Sequence, residues 1–378
     1  MSAGSLRVER HASMASFDPL QWDRLSGGCA TVSHALLDAF EASGCVCAET
    51  GWQPSHLGIH DGDTLVAAAP GYLKSHSYGE YVFDWAWAEA LERAGRAYYP
   101  KLLCAIPFTP VPGPRLLARN PHARRLLLDA WLALARDTGV SSAHLLFPDD
   151  AALEMLQDPT LQLRESVQFH WHNAGYRDYP HFLESLSRDK RKKIRQERRR
   201  VADAGVVLRR IDGADISDAE LALFVTCYRN TYRVRGQRPY LNELFFARLR
   251  ERMPQALMLV VASRDGRDIA CALNLRDSRR LYGRYWGEIE YVPCLHFEAC
   301  YHQGIEYAIE RGLEAFEGGA QGEHKMARGF SPTRTWSAHW LRDEDFAAAV
   351  ARHLEMERTG MALHISELEE RTPYRPAG

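Results

Sequence analysis

Two stretches of the chain consist of an apolar run, an Asp-Gly pair and a second apolar run. They are His56–Leu73, HLGIHDGDTLVAAAPGYL, and Met258–Leu275, MLVVASRDGRDIACALNL. Asp-Gly between strand-like segments is a hairpin signal, because a tight turn requires positive φ and glycine adopts it freely. The pattern therefore predicts one β-hairpin in each half of the chain.

The two predicted hairpins share a register. Asp61 and Asp265, which begin the Asp-Gly pairs, are 204 positions apart, and so are the YGxY sequences Tyr78–Tyr81 and Tyr282–Tyr285. Two matches at one offset favour the duplication of one α/β unit over two unrelated hairpins. We therefore expect two modules, over residues 1–175 and 176–378.

Apolar positions at helical and strand spacing fill in each module. They predict helices over residues 31–43, 122–137, 217–234, 242–251 and 297–310, and strands over residues 78–87, 142–147 and 313–316. Five prolines between Pro100 and Pro114 predict an extended surface loop. The order of elements predicts a mixed α/β (α+β) fold, in which each module is a mixed sheet flanked by helices.

Composition narrows the function classes. The 378 residues are 46% hydrophobic and 25% charged, with a net charge of -2. This is a globular composition with no overall attraction to nucleic acid or anionic membrane. The eight cysteines are scattered in a way that fits a reducing compartment, and no metal site is expected. Because no signal peptide or apolar span is evident, we expect a cytoplasmic protein without a transmembrane segment.

One segment concentrates positive charge. In Arg188–Arg200, nine of 13 residues are Lys or Arg, and Ile194 and Val201 leave a narrow apolar stripe. The segment predicts a helix docked by a thin seam, whose outer face attracts the phosphates of RNA, a diphosphate or a phospholipid surface. The alternative is a solvated face that pairs with acidic residues elsewhere. The candidate phosphate- or RNA-binding residues are Lys190, Lys192, Lys193, Arg195 and Arg199.

A glycine-rich turn carries the best catalytic candidates. Glu317–Phe330, EGGAQGEHKMARGF, directly follows a predicted strand. Its glycines allow the backbone to approach a ligand, and acyl transfer to an amine requires a base and oxyanion donors. Glu323 or His324 is the candidate base, and Lys325 stabilises the oxyanion with the Gly319–Gly322 amides. Gly319, Gly322 and Arg328 are expected to bind substrate, although a loop with surface charges is the alternative.

Other candidates lie on predicted strands. Lys74, His76 and Tyr78 alternate along one strand, so they share a face that contacts substrate or closes the sheet edge. Arg284 and Tyr285 lie on the matching strand of the second module and are also expected to bind substrate. The sequence contains no G-x-S-x-G, Walker A, H-E-x-x-H or G-x-G-x-x-G motif, which argues against serine hydrolases, P-loop enzymes, zincins and Rossmann dehydrogenases.

Six phrases carry a family resemblance: LKSHSYGEYVFDWAWAEA, YYPKLLCAIPFTPVPGPRLL, QFHWHN, LYGRYWG, LHFEACYHQGIEYAIERGL and EGGAQGEHKMARGF. From about residue 33 to the C-terminal helix, the chain resembles a bacterial family of FemAB-like N-acyltransferases with two GNAT modules. The related Fem enzymes transfer amino acids from aminoacyl-tRNA to an amine of a peptidoglycan precursor. By resemblance to those enzymes, Lys325 is the nearest counterpart of a lysine that precedes an aromatic residue.

The resemblance implies an acyl- or aminoacyltransferase without a tightly bound cofactor. The amine attacks an activated ester or thioester directly, and the acceptor is a small molecule or a cell-wall precursor. The donor stays open between aminoacyl-tRNA and acyl-CoA, because Arg284–Gly287 is only a fragment of the GNAT pyrophosphate loop. A non-catalytic module that binds RNA or a precursor is the other alternative. We expect the chemistry mainly in the second module, with the first shaping the acceptor side.

Overall fold

The computed structural model describes residues 6–319 and 322–375, in two compact units. The first unit runs up to Ser166 and also includes Arg334–His364. The second unit is Val167–Thr333 with the segment that begins at Ile365. This division differs from the predicted modules 1–175 and 176–378, because a long C-terminal segment belongs to the first unit.

The elements of the first half alternate strands and helices. In chain order they are β1 (Leu6–His11), α1 (Pro19–Ser26), α2 (His34–Ala42), β2 (Trp52–Pro54), β3 (His56–Asp61), β4 (Thr64–Ala69), β5 (Gly71–Lys74), α3 (Trp85–Arg93), β6 (Lys101–Cys104), β7 (Leu117–Ala118), α4 (Pro121–Asp137), β8 (Ser142–Leu146), α5 (Asp150–Leu153) and β9 (Gln162–His172).

The second half begins with helices. Its elements are α6 (Tyr179–Ser185), α7 (Arg188–Asp203), β10 (Val206–Asp212), α8 (Asp218–Val234), α9 (Glu243–Arg252), β11 (Leu257–Arg264), β12 (Arg267–Arg276), β13 (Arg280–Glu288), α10 (Leu295–Phe297), α11 (Gln303–Glu310), β14 (Ala315–Glu317), β15 (Ser331–Leu341) and α12 (Glu344–Glu370). A π-helical turn, Glu298–His302, joins α10 to α11, and a 3₁₀ turn, Glu323–Arg328, follows β14.

The first unit contains two sets of hydrogen-bonded strands. One has the order β1-β3-β4-β7, and the other has the order β15-β8-β6-β5-β2. Strands β6 and β8 are parallel, whereas β5 and β15 are antiparallel to their neighbours. The apolar face of α4 packs against these strands, and Leu127 and Trp131 belong to the same buried cluster as Leu102 of β6.

The second unit is built on a sheet of order β10-β11-β12-β13-β14-β9. The pairings are antiparallel except β13 with β14, which is parallel. The predicted Asp-Gly turn forms here, since Arg264 pairs with Arg267 and both Asp265 and Gly266 have positive φ. The core is dominated by buried aromatic and aliphatic side chains, among them Phe182, Ile305 and Phe316.

A similar order of elements occurs in both units. Each has a strand, two helices, a hairpin and later a parallel pair of strands joined through a helix, β6–α4–β8 or β13–α11–β14, but the first unit also contains β2, β5, α3 and β7. The predicted mixed α/β class and the predicted hairpins are confirmed. That the units arose by duplication stays a prediction, because the YGxY sequences do not coincide: Tyr282–Tyr285 lies in β13, whereas Tyr78–Tyr81 lies in no strand.

Two predictions for the first unit were wrong. Residues 78–87 do not form a strand: β5 ends at Lys74, an irregular loop follows, and Trp85 begins α3. The proline-rich segment is not a surface loop, because it contains β6 and its apolar residues from Ala105 to Val111 are buried. In both cases tertiary packing overrides the local pattern.

A histidine pair lies inside the first unit. His144 of β8 faces His339 of β15, with 2.6 Å between their Nδ1 atoms. Each Nε2 shares a 2.8 Å hydrogen bond with a serine two residues away, Ser142 or Ser337. Burial lowers the pKa of both imidazoles, so both are neutral at pH 7 and one Nδ1–H donates to the other Nδ1.

We expect this pair to make the first unit sensitive to acid. In the folded protein both imidazoles resist protonation, whereas in the unfolded chain they take up a proton near pH 6.5. The contribution of the pair to the free energy of unfolding is therefore present above pH 6.5 and is lost below it, by about 2 kcal/mol per histidine between pH 7 and pH 5. Urea unfolding at both pH values should show a smaller loss in His144→Asn/His339→Asn. The control is His353→Asn, at an exposed position of α12. An equal loss in all three proteins would contradict the expectation.

Candidate active site

A pocket opens in the second unit where two parallel strands separate. Among the described residues, β13 pairs with β14 only from Arg280 to Tyr282. Beyond that point β14 ends, the chain turns at Gly318, and the remaining edge of β13 faces a cavity of about 120 Å³. The cavity is lined by Ala272, Asn274, Gly283, Arg284, Tyr285, Trp286, His296, Cys300, Tyr301, Gly318 and Gly319.

Two local irregularities bring consecutive residues to this pocket. The register of β12 with β13 passes from Tyr285 to Gly283, so Arg284 is the extra residue of a β-bulge. On the opposite wall, the π-helical turn inserts a residue into the helix, and both Cys300 and Tyr301 reach the cavity. Bulges and π-helical turns often occur at functional sites, because they re-aim side chains that a regular element would turn away.

Lys325 is buried beside the glycine turn. Its side chain is 2% exposed, and its ammonium donates a 2.8 Å hydrogen bond to the carbonyl of Gly319, which lines the pocket. Gly319 has a φ of +87°, a conformation that a side chain would strain. Burial lowers the pKa of Lys325 to about 8, so the amine is mainly charged at pH 7 but loses its charge in mild alkali.

His324 is connected to the pocket by a tyrosine. Its Nε2 lies 3.0 Å from the hydroxyl of Tyr301, and the two groups share a hydrogen bond. Burial lowers the pKa of His324, and the neighbouring charges of Arg328 and Lys325 lower it further. The imidazole is therefore neutral at pH 7 and is able to accept a proton relayed through Tyr301.

Comparisons with known proteins identify the family of the chain. A family model described as peptidoglycan biosynthesis/recognition matches residues 13–376. The chain belongs to the FemAB-like family. No curated protein matches the chain.

Solved structures agree with the FemAB-like assignment. FemX is 11% identical over 91% of this chain and 100% of its own, with a TM-score of 0.55. L-PGS from Bacillus licheniformis is 12% identical over 89% and 96%, with a TM-score of 0.54. A conserved protein of unknown function from Bacteroides thetaiotaomicron is 10% identical over 89% and 100%, with a TM-score of 0.53. These likenesses show the fold, and the predicted membership in the FemAB-like family is confirmed by the family model.

The remaining residues of the glycine turn have different surroundings. Glu323 is half-exposed and forms a 2.8 Å ion pair with Arg371. At Gly322 the imidazole of His324 fills the space that a Cβ would require. The predicted oxyanion-binding segment Gly319–Gly322 includes residues 320 and 321, which lie outside the described residues.

Arg328 needs a correction, because it is held by protein groups. Its guanidinium is 2% exposed and donates to both carboxylate oxygens of Glu197 in α7, at 3.1 and 2.7 Å. It also donates to the backbone carbonyl of His324 and stacks 3.5 Å from the ring centre of Phe297. These contacts make Arg328 a positioning residue for the His324 turn rather than a residue that binds substrate.

The substrate-binding candidates predicted on strands have different surroundings in the two units. Arg284 and Tyr285 both line the pocket. In the first unit, Lys74 is fully buried over the ring of Trp52, at 3.7 Å, which argues against direct contact with substrate. Burial lowers its pKa to about 7. His76 hydrogen-bonds the carbonyl of Thr50, and Tyr78 is exposed, so these side chains do not share a strand face.

The basic helix is present as α7. Ile194, Glu197 and Val201 are buried along one side, and Arg198 is paired with Glu298. Lys190 is half-buried, whereas Lys192, Lys193, Arg195 and Arg199 are exposed. Within the described part of the chain, Lys192, Lys193 and Arg195 form no ion pair, whereas Arg199 lies 3.4 Å from Asp203. The exposed face therefore carries uncompensated positive charge.

Several pocket residues were not anticipated from the sequence, namely Asn274, His296, Cys300 and Tyr301. His296, Cys300 and Tyr301 belong to LHFEACYH, which gives a plain helical pattern that does not reveal the π-helical turn. Among the described residues, no cluster of three His, Cys, Asp or Glu side chains could hold a metal ion, and no helix is long and apolar enough to cross a bilayer.

The buried pair of Arg328 and Glu197 yields a stability prediction. Arg328→Ala leaves a buried carboxylate without its partner, so we expect the free energy of unfolding to fall by about 3–5 kcal/mol. Arg371→Ala, which breaks the exposed pair with Glu323, should cost less than about 1 kcal/mol. Urea unfolding of both variants measures the difference. Equal losses would show that the Arg328 pair does not hold the turn.

Proposed function

We propose that this FemAB-like chain is an acyltransferase that moves an activated acyl or aminoacyl group onto an amine, and that the acceptor is a cell-wall precursor. The observation that carries the proposal is the pocket at the divergence of β13 and β14, with Lys325 bonded to the lining residue Gly319 and His324 bonded to the lining residue Tyr301. The pocket lies in the second unit. A cytoplasmic location belongs to the same proposal.

The part of β13 that lines the pocket, Gly283–Trp286, favours an extended donor. An acyl or aminoacyl arm that lies along Gly283–Trp286 would place its carbonyl near Gly318 and Gly319. This fixed segment orients the activated carbonyl toward the amine, and orientation of this kind supplies a large part of the catalysis of two-substrate reactions.

We assign the stabilisation of the transition-state charge to Lys325. As the amine attacks, negative charge develops on the carbonyl oxygen, and a buried ammonium beside Gly319 stabilises it more strongly than water does. The attacking ammonium must also lose a proton. Neutral His324 accepts it through the hydroxyl of Tyr301, and the donor's oxygen or sulfur leaves when the tetrahedral intermediate collapses. No covalent enzyme intermediate is required.

Substitution of Lys325 tests this assignment. Lys325→Ala should lower kcat by about 10²–10³-fold, as for other oxyanion donors, while circular dichroism and unfolding stay close to wild type. Transfer is measured from labelled alanyl-tRNA, and separately from acetyl-CoA, to a cell-wall pentapeptide precursor. Arg352→Ala, which removes a charge at an exposed position of α12, is the control. Undiminished turnover in Lys325→Ala would overturn the assignment.

The pH profile separates an ammonium from a basic amine at Lys325. Because the pKa of Lys325 is lowered to about 8, the charged form is present below that pH and is lost above it. The rate should therefore fall above pH 8 in the wild type, and this fall should be absent in Lys325→Arg, whose charge persists. A wild-type rate that rises through pH 8 would instead identify Lys325 as the base.

The exposed face of α7 favours aminoacyl-tRNA as the donor. Lys192, Lys193 and Arg195 have no acidic partner among the described residues, and such a face attracts an RNA backbone. A polyanion-binding protein without catalysis is the second candidate that this observation favours. Turnover in the assays above distinguishes the two.

A double substitution on α7 tests RNA binding. Lys192→Ala/Arg195→Ala should weaken tRNA binding and lower the slope of log Kd against log salt by about two, one for each lost phosphate contact. Arg352→Ala/Arg358→Ala, on exposed positions of α12, removes the same charge elsewhere and should leave the slope unchanged. Equal effects of the two pairs would show that α7 is only a solvated helix. Filter binding at several salt concentrations gives both slopes.

A further inference from the structure

A loop in the first unit is held by buried charges. The loop, Ser75–Asp84, joins β5 to α3, and three of its side chains converge on the ammonium of Lys101 in β6. Ser77 lies 2.7 Å from that ammonium, Glu80 lies 2.8 Å from it, and Asp84 also accepts a hydrogen bond from it. All four side chains are buried.

This arrangement fixes the shape of the loop. Buried ion pairs contribute little net stability, because desolvation offsets their attraction, but breaking one is costly. The loop is therefore held in one conformation by groups that cannot separate cheaply. Tyr81 adopts a φ of +62°, which is uncommon for a residue with a side chain, and strain of this kind concentrates at binding sites.

The fixed loop presents large aromatic rings to solvent. Tyr78 and Phe83 are each 57% exposed, and Trp85, the first residue of α3, is 40% exposed. The rings of Tyr78 and Trp85 are in contact, with 4.9 Å between their centres. Contiguous exposed aromatic surface is rare in a soluble protein unless it binds something, and rigid rings lose little entropy on binding. We call Tyr78, Phe83 and Trp85 the aromatic platform.

The charges around the platform are compensated. Arg164 donates to the carbonyl of Phe83 and pairs with Glu357 at 2.7 Å, while Arg93 pairs with Glu89 on the helix that Trp85 begins. The acidic and basic groups of the loop itself are buried, and burial lowers the pKa of His76, which is neutral. A polyanion or an anionic membrane needs unpaired cations, and this surface does not offer them.

We propose that the aromatic platform binds the sugar rings of the acceptor. The negative face of an aromatic ring attracts the polarised C–H groups of a neutral pyranose, and the tilted rings of Tyr78 and Trp85 offer such faces beside a compensated polar rim. The identity of the sugar rests on the proposed function, because a cell-wall precursor carries amino sugars as well as peptide. Binding to the platform does not require the pocket of the second unit or any acyl donor.

Titration calorimetry with two probes tests the platform. The first probe is a soluble disaccharide pentapeptide of N-acetylglucosamine and N-acetylmuramic acid, and the second is the same pentapeptide without sugars. We expect the wild type to bind the disaccharide pentapeptide more tightly, and Trp85→Ala and Phe83→Ala each to weaken that binding by about tenfold, as for a hot-spot ring. Binding of the free pentapeptide should not change. Tyr291→Ala, at a 75% exposed ring of the second unit, is the matched control.

The outcomes separate this proposal from the proposed function. Sugar-dependent binding that Trp85→Ala weakens supports the platform even when no acyl transfer is detected. Transfer activity with equal binding of both probes overturns the platform and leaves the acyltransferase proposal standing. A dimer in light scattering that Trp85→Ala dissociates would show that a second copy covers the rings, and would also overturn it. Tyr78→Ala, measured in the same assay, is an independent variant that keeps the test decisive when another variant fails to fold.

Discussion

The pocket of the second unit exists because β14 pairs with only part of β13. Strands β13 and β14 are parallel partners for three residues, from Arg280 to Tyr282, and then separate. Past that point no further pairing of these two strands occurs among the described residues, and Gly283–Trp286 of β13 line a cavity. The bulge at Arg284 and the π-helical turn at Glu298–His302 face this cavity from opposite sides. Each adds one residue to a regular element, and together they bring Arg284, Cys300 and Tyr301 to the pocket.

Buried ionic groups fix two irregular segments, one in each unit, that are not held by strand pairing. In the second unit, Arg328 and Glu197 tie the turn that carries His324 to α7. In the first unit, Lys101 ties the Ser75–Asp84 loop to β6. Neither pair gains much energy over a well-packed apolar contact, but each has few alternative geometries. Irregular backbone is thereby kept in one conformation next to surfaces suited to ligands.

The sequence predicted regular elements well, because one apolar face per element decides them. The 122–137 and 217–234 patterns correspond to α4 and α8 almost to the residue. The 78–87 prediction failed for a physical reason: Glu80 and Asp84 point inward to Lys101 while aromatic rings point outward, the reverse of the usual burial. No local pattern in the sequence predicts that the carboxylates are buried and the aromatic rings exposed. The partner of Arg328 lies 131 positions away, so its role could not be read from the turn alone.

The two units have a similar order of elements but differ at the equivalent place in the sheet. In the first unit, β6 pairs in parallel with β8, and the buried segment from Ala105 to Val111 then packs against the core. Arg115 lies behind it and donates to the carbonyl of Leu146. In the second unit, the corresponding strand β13 continues to Glu288 past its pairing with β14, and Gly283–Trp286 line a cavity. The segment beyond the parallel pairing is thus buried in the first unit and lines a pocket in the second, which is why the proposed chemistry belongs to the second unit.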